Sequence, residues 1–190
     1  MKTGLVLLTI IAAVLMFSTA GYAQENTTDN ATGNATGNAT DNAVAVLKDA
    51  QNNTVGFATF NEDDFGLVRV QVLVTNLTSG LHGIHIHENA NCTAPSFTSA
   101  GGHYNPLDRE HGLDNPKGPH AGDLPNLIVG EDGTGYMDVT TDLVTLSPGP
   151  TTLFPANGTS LIIHADPDDQ MTNPAGNSGD RVVCGVIEKR

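Results

Sequence analysis

Residues 67–75, LVRVQVLVT, set Val68, Val70, Val72 and Val74 against Arg69 and Gln71 in alternation. Side chains two apart share one face of an extended chain, so the stretch reads as a β-strand with one face buried and one wet. Runs of similar kind lie on both sides of it: AVAVL (43–47), TVGFATF (54–60), GIHIHE (83–88), NLIVG (126–130), GYMDVTTDLVTL (135–146), SLIIHA (160–165) and RVVCGVIE (181–188). Gly, Asn, Asp and Pro separate them, and no long amphipathic helical period intervenes. Strand after strand with turn residues between predicts an all-β fold, an antiparallel sandwich or barrel. Two Gly- and Pro-rich loops, 88–125 and 165–180, are longer than a compact domain usually keeps without a task. Aromatics are few and tryptophan is absent, so the core rests on Val, Ile and Leu.

Upstream of these strands the composition changes twice. Lys2, an apolar stretch over 5–17 and the small-residue run 18–23 form a secretory signal cut after Ala23. That stretch is shorter than the roughly 20 residues of a spanning helix, which disfavours an uncleaved anchor and predicts no stable membrane insertion after cleavage. Residues 24–43 repeat Asn and Thr with almost no large apolar side chains, a composition that cannot bury enough surface to fold and reads as a disordered tether. Residues 44–190, about 147 in number, suffice for one domain with a single core. Asn-x-Thr acceptor triplets begin at Asn26, Asn30, Asn34, Asn38, Asn52, Asn76, Asn91 and Asn157; glycosylation and a merely polar surface are equal readings.

The chain carries 8 basic and 21 acidic side chains, and losing residues 1–23 removes Lys2 and no acid, so the formal charge moves from −13 to −14. This excludes nucleic acid and anionic membrane surfaces as partners. The leader predicts a secreted or otherwise extracytoplasmic location, in a periplasm-like space or at the cell surface. Cys92 and Cys184 are the only cysteines, consistent with one disulfide in an oxidising compartment; unlinked buried thiols are the other reading. Closing so long a loop stabilises a fold by about 4–5 kcal/mol in the chain-entropy model.

Six of the seven histidines, His85, His87, His103, His111, His120 and His164, fall with Asp123 into a pattern that two adjacent metal ions could share. His85 and His87 are two apart in a strand and point to one face. His164 ends another strand and adds a third imidazole. The first long loop supplies His103, His111, His120 and Asp123, a nitrogen and oxygen set suited to tetrahedral zinc. Several nitrogen donors on the strand side suit copper. Spacing alone does not divide the donors between ions. His82 sits an odd number of residues from His85, faces the other way and reads as a hydrogen-bonded structural residue. Met137 and Met171 are isolated, and Tyr104 reads as packing.

The segments GLHGIHIHE (80–88), SAGGHYNP (99–106), HAGDLPN (120–126), GNSGDR (176–181) and CGVI (184–187), in this order, resemble the copper/zinc superoxide dismutase family. The resemblance implies an eight-stranded antiparallel Greek-key barrel with two long functional loops over nearly all of 44–190. It implies copper on His85, His87, His103 and His164, and zinc on His103, His111, His120 and Asp123, with His103 bridging the two. It further implies that Asp168 links His85 to His111, that Cys92 pairs with Cys184, and that Arg181 lies beside copper and draws in the anion. The implied reaction is the conversion of superoxide to oxygen and hydrogen peroxide, with Arg181 and His103 as the catalytic residues of the chain and His103 passing a proton. A homodimer is compatible with the family, but no strand face in the sequence is diagnostic of one.

One feature of the sequence tempers these expectations. Residues 164–181, HADPDDQMTNPAGNSGDR, hold several aspartates and no lysine, where family members commonly place lysines. This predicts a weak or inverted salt dependence of the rate. A non-catalytic extracellular module sequestering copper and zinc is the alternative function, and a surface-attachment module built on the tether is a third. The intact seven-ligand set with Arg181 favours the enzyme over both.

Overall fold

The computed structural model describes residues 42–190, so the leader expected at 1–23 and nearly all of the tether expected at 24–43 lie outside the described residues. Among the described residues there are ten strands: β1 (Asn42–Asp49), β2 (Thr54–Glu62), β3 (Val68–Val74), β4 (Gly80–His82), β5 (Ile84–His87), β6 (Leu127–Val129), β7 (Gly135–Thr141), β8 (Ser160–His164), β9 (Arg181–Val186) and β10 (Glu188–Lys189). Every strand pair is antiparallel. The order is β4-β6-β7-β3-β2-β1-β9-β8-β5, with β10 beside β1.

β4 and β5 stand at the two ends of that order yet follow one another in the chain, interrupted only at Gly83. They are two pieces of one strand, so the sheet nearly closes into a barrel. Counting them once, and β10 as an extension of β9, gives the eight strands expected. Gly83 donates to Asp166 O (2.9 Å) and accepts from His164 N–H (2.8 Å), and a Cβ there would meet Ser178. The second loop therefore presses on the barrel where the strand breaks.

The alternation of 67–75 is realised as read: Val68, Val70, Val72 and Val74 are buried, whereas Arg69 and Leu73 face out. They join Leu47, Ala58, Phe60, Ile84, Ile86, Leu161 and Ile163 in one core. Each large side chain so buried stabilises the fold by about 1.5–3 kcal/mol. The strand read furthest past its end is that of 135–146, since β7 ends at Thr141. Val144 and Leu146 still enter the core, but from a loop. The Leu146 and Ser147 N–H groups donate to the buried Glu62 carboxylate (2.8 and 2.6 Å), which replaces the ladder partner a strand would have offered.

Cys92 and Cys184 form a disulfide with Cα atoms 5.6 Å apart, tying the first long loop to β9. Phe97, Ala100, Ile162 and Cys184 pack into a small second core beside it. Asn52, Asn76, Asn91 and Asn157 are all exposed. Among the described residues no helix is long and apolar enough to cross a membrane.

Candidate metal centre

All four residues of β5 are buried, which a strand achieves only when both its faces are covered. Ile84 and Ile86 enter the core, and the opposite face, bearing His85 and His87, lies under the two long loops. The first loop docks on β5 through its backbone. Ile86 N–H donates to Gly122 O, and Tyr104 N–H donates to Ile86 O, both at 2.8 Å. A Cβ at Gly122 would strike Ile86 O, so this approach requires glycine. The docking sets Asp123 opposite His85 and His103 opposite His87. On the other side of β5, the β8–β9 register shifts between Ile163 and His164, which pairs with Arg181. Bulges of this kind re-aim a side chain.

Hydrogen bonds fix which nitrogen each ring presents. His87 Nδ1–H donates to Gly101 O and His164 Nδ1–H to Gly179 O, both at 3.1 Å. His85 Nε2–H donates to Asp168 Oδ2 at 2.6 Å. The remaining nitrogens, His85 Nδ1, His87 Nε2 and His164 Nε2, together with His103 Nε2, are buried with no hydrogen-bond partner. An unsatisfied buried polar group costs about 1–3 kcal/mol, so four together call for a ligand. The donor atoms of these same four residues lie within 4.8 Å of one another. Burial holds the rings neutral: His85 is pushed down to about 3, His164 to about 4, and His87 well below the ordinary histidine value. Their lone pairs are thus available at neutral pH.

The loop side of the cluster is built differently. His103 Nδ1 and His111 Nδ1 lie 3.1 and 3.0 Å from Asp123 Oδ1. His120 Nδ1 is 3.5 Å from the same oxygen and 3.4 Å from His103 Nδ1. Donors on a tetrahedral ion with bonds of about 2.0–2.1 Å stand roughly 3.3–3.4 Å apart, and these separations bracket that value. The other carboxylate oxygen, Oδ2, accepts the N–H groups of Gly112 (2.8 Å) and His120 (3.0 Å). His111 Nε2–H is spent on Asp168 Oδ1 at 3.0 Å, so its Nδ1 faces Asp123 with a lone pair unless a cation or a proton intervenes. In the absence of an ion the proton is favoured. Burial works against charging His111, but Asp123 and Asp168 outweigh it and raise its pKa to about 9.

The set of four on this side whose donor atoms all fall within 4.8 Å of one another contains His85 with His103, His111 and Asp123, and omits His120. Geometry and chemistry disagree here. His85 Nε2 is bonded to Asp168 and its Nδ1 belongs with the strand-side nitrogens, so His120 is the chemically free fourth donor. Asp168 spans the two sides, one oxygen on His85 and the other on His111. The residues present fit one ion among four imidazoles and a second beside Asp123.

Over residues 54–187 the chain matches the family model described as copper/zinc superoxide dismutase. The chain belongs to the copper/zinc superoxide dismutase family. It is 41% identical to superoxide dismutase [Cu-Zn] 2 of Aquifex aeolicus, over 76% of this chain and 85% of the relative. To superoxide dismutase [Cu-Zn] of Deinococcus radiodurans it is 43% identical, over 76% of this chain and 82% of that one. A solved structure of a SOD-like protein from Bacillus subtilis, a double mutant in which a tyrosine and a proline are each replaced by histidine, superposes with a TM-score of 0.73. It is 42% identical, covering 75% of this chain and 95% of that one.

Within this dismutase-family fold, Arg181 is half-buried and reaches into the first loop: Nη1 donates to Phe97 O (2.7 Å) and Nη2 to Gly101 O (2.6 Å). Gly101 O is also the acceptor of His87 Nδ1–H, so one carbonyl connects the arginine to a histidine of the cluster. No carboxylate pairs with Arg181 among the described residues. The second carbonyl comes from a residue that sequence reasoning passed over. Phe97 has φ 53°, a left-handed conformation rare for a bulky side chain, and its ring is buried against the disulfide. The available signal was its position as the only large apolar residue of the polar stretch between His87 and Tyr104.

His82 is buried as expected of a structural residue, with Nδ1 2.7 Å from His164 O and Nε2 2.9 Å from Thr78 O. The aspartates of the second loop are partly consumed. Asp168 is the span just described. Asp169 accepts the N–H groups of Met171 and Thr172 and the Asn177 amide. Asp166 and Asp180 are left exposed, and Asp180 lines an open depression of about 400 Å³ with Arg181, Thr98 and Gly179.

Proposed function

We propose that the protein is a secreted superoxide dismutase, converting superoxide to oxygen and hydrogen peroxide. In this reading His85 Nδ1, His87 Nε2, His103 Nε2 and His164 Nε2 hold copper, and His103 Nδ1, His111 Nδ1, His120 Nδ1 and Asp123 hold zinc. The observation that carries it is the convergence of four buried, unpartnered imidazole nitrogens beside an arginine held by backbone carbonyls. Family membership supports the activity, and residues 1–23 as a cleaved leader with 24–43 as a tether ahead of domain 44–190 account for the export of a disulfide-bonded chain.

Copper cycling between its cupric and cuprous states supplies the electron transfer, and zinc, redox-inert, supplies fixed charge. The chain supplies the rest. Arg181 offers a guanidinium to a small anion, and because two carbonyls fix its plane it need not reorganise on binding. The two nitrogens of His103 belong to different donor sets, which suits a bridge whose Nε2 takes up a proton and releases it toward the departing peroxide. Asp123 sets the charge of the zinc side, and Asp168 fixes the His85 and His111 tautomers. The test is superoxide consumption by the copper- and zinc-loaded protein beside the metal-free protein. Metal-dependent turnover near the diffusional ceiling is expected. Full occupancy without turnover would replace this reading with the sequestering module.

A further inference from the structure

His111 is the one imidazole of the cluster with a carboxylate at each nitrogen: Nδ1 lies 3.0 Å from Asp123 Oδ1 and Nε2 lies 3.0 Å from Asp168 Oδ1. Its seat is therefore the gap between two side chains that belong to different long loops, both outside the named strands. Behind the carboxylates those loops are tied together twice. Asn126 Nδ2 donates to Asp168 O and Asp168 N–H donates to Asn126 Oδ1, both at 2.8 Å. An amide side chain holds a donor and an acceptor side by side, so Asn126 takes the place of one rung of an antiparallel ladder. Two residues away on each loop, Gln170 Nε2 donates to Leu124 O at 3.2 Å. Asn126 immediately precedes β6 and Leu124 is buried in the main core, so both ties are anchored on the barrel.

Gln170 adopts φ 60°, in the left-handed region that a residue other than glycine seldom takes. Held there, its N–H donates to Asp168 Oδ1 (2.6 Å) and its carbonyl accepts Asp114 N–H (3.1 Å). A Cβ at Gly112 would strike that carbonyl, so the chain next to His111 is pressed against it. Gln170 Oε1 is buried without a partner, a cost that an apolar side chain of similar size would avoid. The amide is accounted for by the bond it gives Leu124. We propose that Asn126 and Gln170 are positioning residues: their two ties set the separation of Asp123 and Asp168, and with it the orientation of His111. This rests on the proposed function only where it calls the ion beside Asp123 zinc. Asp168 Oδ2 also holds His85 Nε2–H, so the brace reaches His85. His87 and His164 bond to Gly101 O and Gly179 O and lie outside it.

Proton exchange at the imidazole N–H groups of the metal-free protein, followed by NMR, tests the assignment. Asn126→Ala should speed exchange of the His85 and His111 Nε2–H protons by about tenfold or more and leave the Nδ1–H protons of His87 and His164 unchanged. Gln170→Leu keeps the size and gives up only the amide; it should act on the same two rings more weakly, and it guards against misfolding of the first variant. In the loaded protein Asn126→Ala should release zinc to a chelator about 10–100-fold more readily. Equal acceleration at all four rings would make the ties a general support of the fold and overturn the proposal. So would unchanged exchange at His85 and His111 in both variants, or faster exchange with zinc release as in the wild type. A chain that takes up no zinc would count against the proposed function and leave the exchange comparison to decide on the brace.

Discussion

The two sides of the imidazole cluster share a histidine and differ in nearly everything else. On the strand side four buried imidazole nitrogens converge with no hydrogen-bond partner and no carboxylate among the converging donors. On the loop side three imidazole nitrogens crowd one oxygen of a carboxylate whose other oxygen is already capped by two N–H groups. Charge inside a protein is expensive to change where a fixed opposite charge has been installed, and easier where only neutral donors surround it. Neutral donors suit an ion that must alter its oxidation state, and an anionic set suits one that must not. The rigidity follows the same division, since β5 and β8 supply His85, His87 and His164, while the first long loop supplies His103, His111, His120 and Asp123.

The sharpest way to break this contrast is His87→Ala, which removes a strand-side donor and leaves the loop side whole. Turnover should fall by at least about a thousandfold while zinc remains near one equivalent, as read by activity beside elemental analysis. Loss of both metals together would mean that the sides are not separable. Asp168→Asn touches both, and removing a carboxylate that orients metal-binding imidazoles costs about 10–100-fold in affinity. Competition against a chelator should therefore show weakened retention of copper and zinc alike; an effect on one alone would assign Asp168 to that side.

Phe97→Ala addresses the frame and not the ligands. The lost ring should cost about 3–5 kcal/mol of stability, read by denaturant unfolding. With its anchor gone the carbonyl no longer pins Arg181, and kcat/KM should drop about tenfold at unchanged metal content. An unaltered rate would remove Phe97 from any part in positioning the arginine.

Acid separates the sides by sign. His85, His87 and His164 are held below the ordinary histidine value chiefly by burial, so the unfolded chain binds protons that the fold refuses. Stability of the metal-free protein should decline as pH falls below about 6.5. His111, raised to about 9 by its two carboxylates against the effect of burial, contributes in the opposite sense: fully below its unfolded value and progressively less as pH rises through 9. Melting temperatures of metal-free protein should fall between pH 7 and 5, and a flat profile would contradict the neutral strand side. The smallest effect expected is that of salt. Asp180, which shares an open depression with Arg181, offsets its field, so the rate should change by less than about twofold across ordinary ionic strengths. A steep fall with added salt would show strong net attraction.

Much of this was legible in the chain because period-two alternation and the HIH spacing are local. Residues 67–75 declare their buried face, and His85 and His87 declare a shared one. What stayed hidden depends on long-range partners. The strand read through 146 stops at Thr141 because Glu62, far away in sequence, takes the amides of Leu146 and Ser147. The aspartates of the second loop looked alike, yet Asp168 and Asp169 are spent on hydrogen bonds while Asp166 and Asp180 face water. Phe97 gave no periodic signal, since its role lies in a backbone conformation and a carbonyl.

The Gly101 carbonyl, accepting from His87 Nδ1 and from Arg181 Nη2 at once, acts as a ruler. A single carbonyl oxygen sets the interval between the Arg181 guanidinium and the His87 ring, which under the proposed function is the interval between the anion's seat and a copper-side imidazole. Two hydrogen bonds, of 3.1 and 2.6 Å, converge on that oxygen and hold the interval. A displacement of that one oxygen would carry guanidinium and imidazole with it, so the two side chains keep their spacing only as long as the first loop keeps its seat on β5.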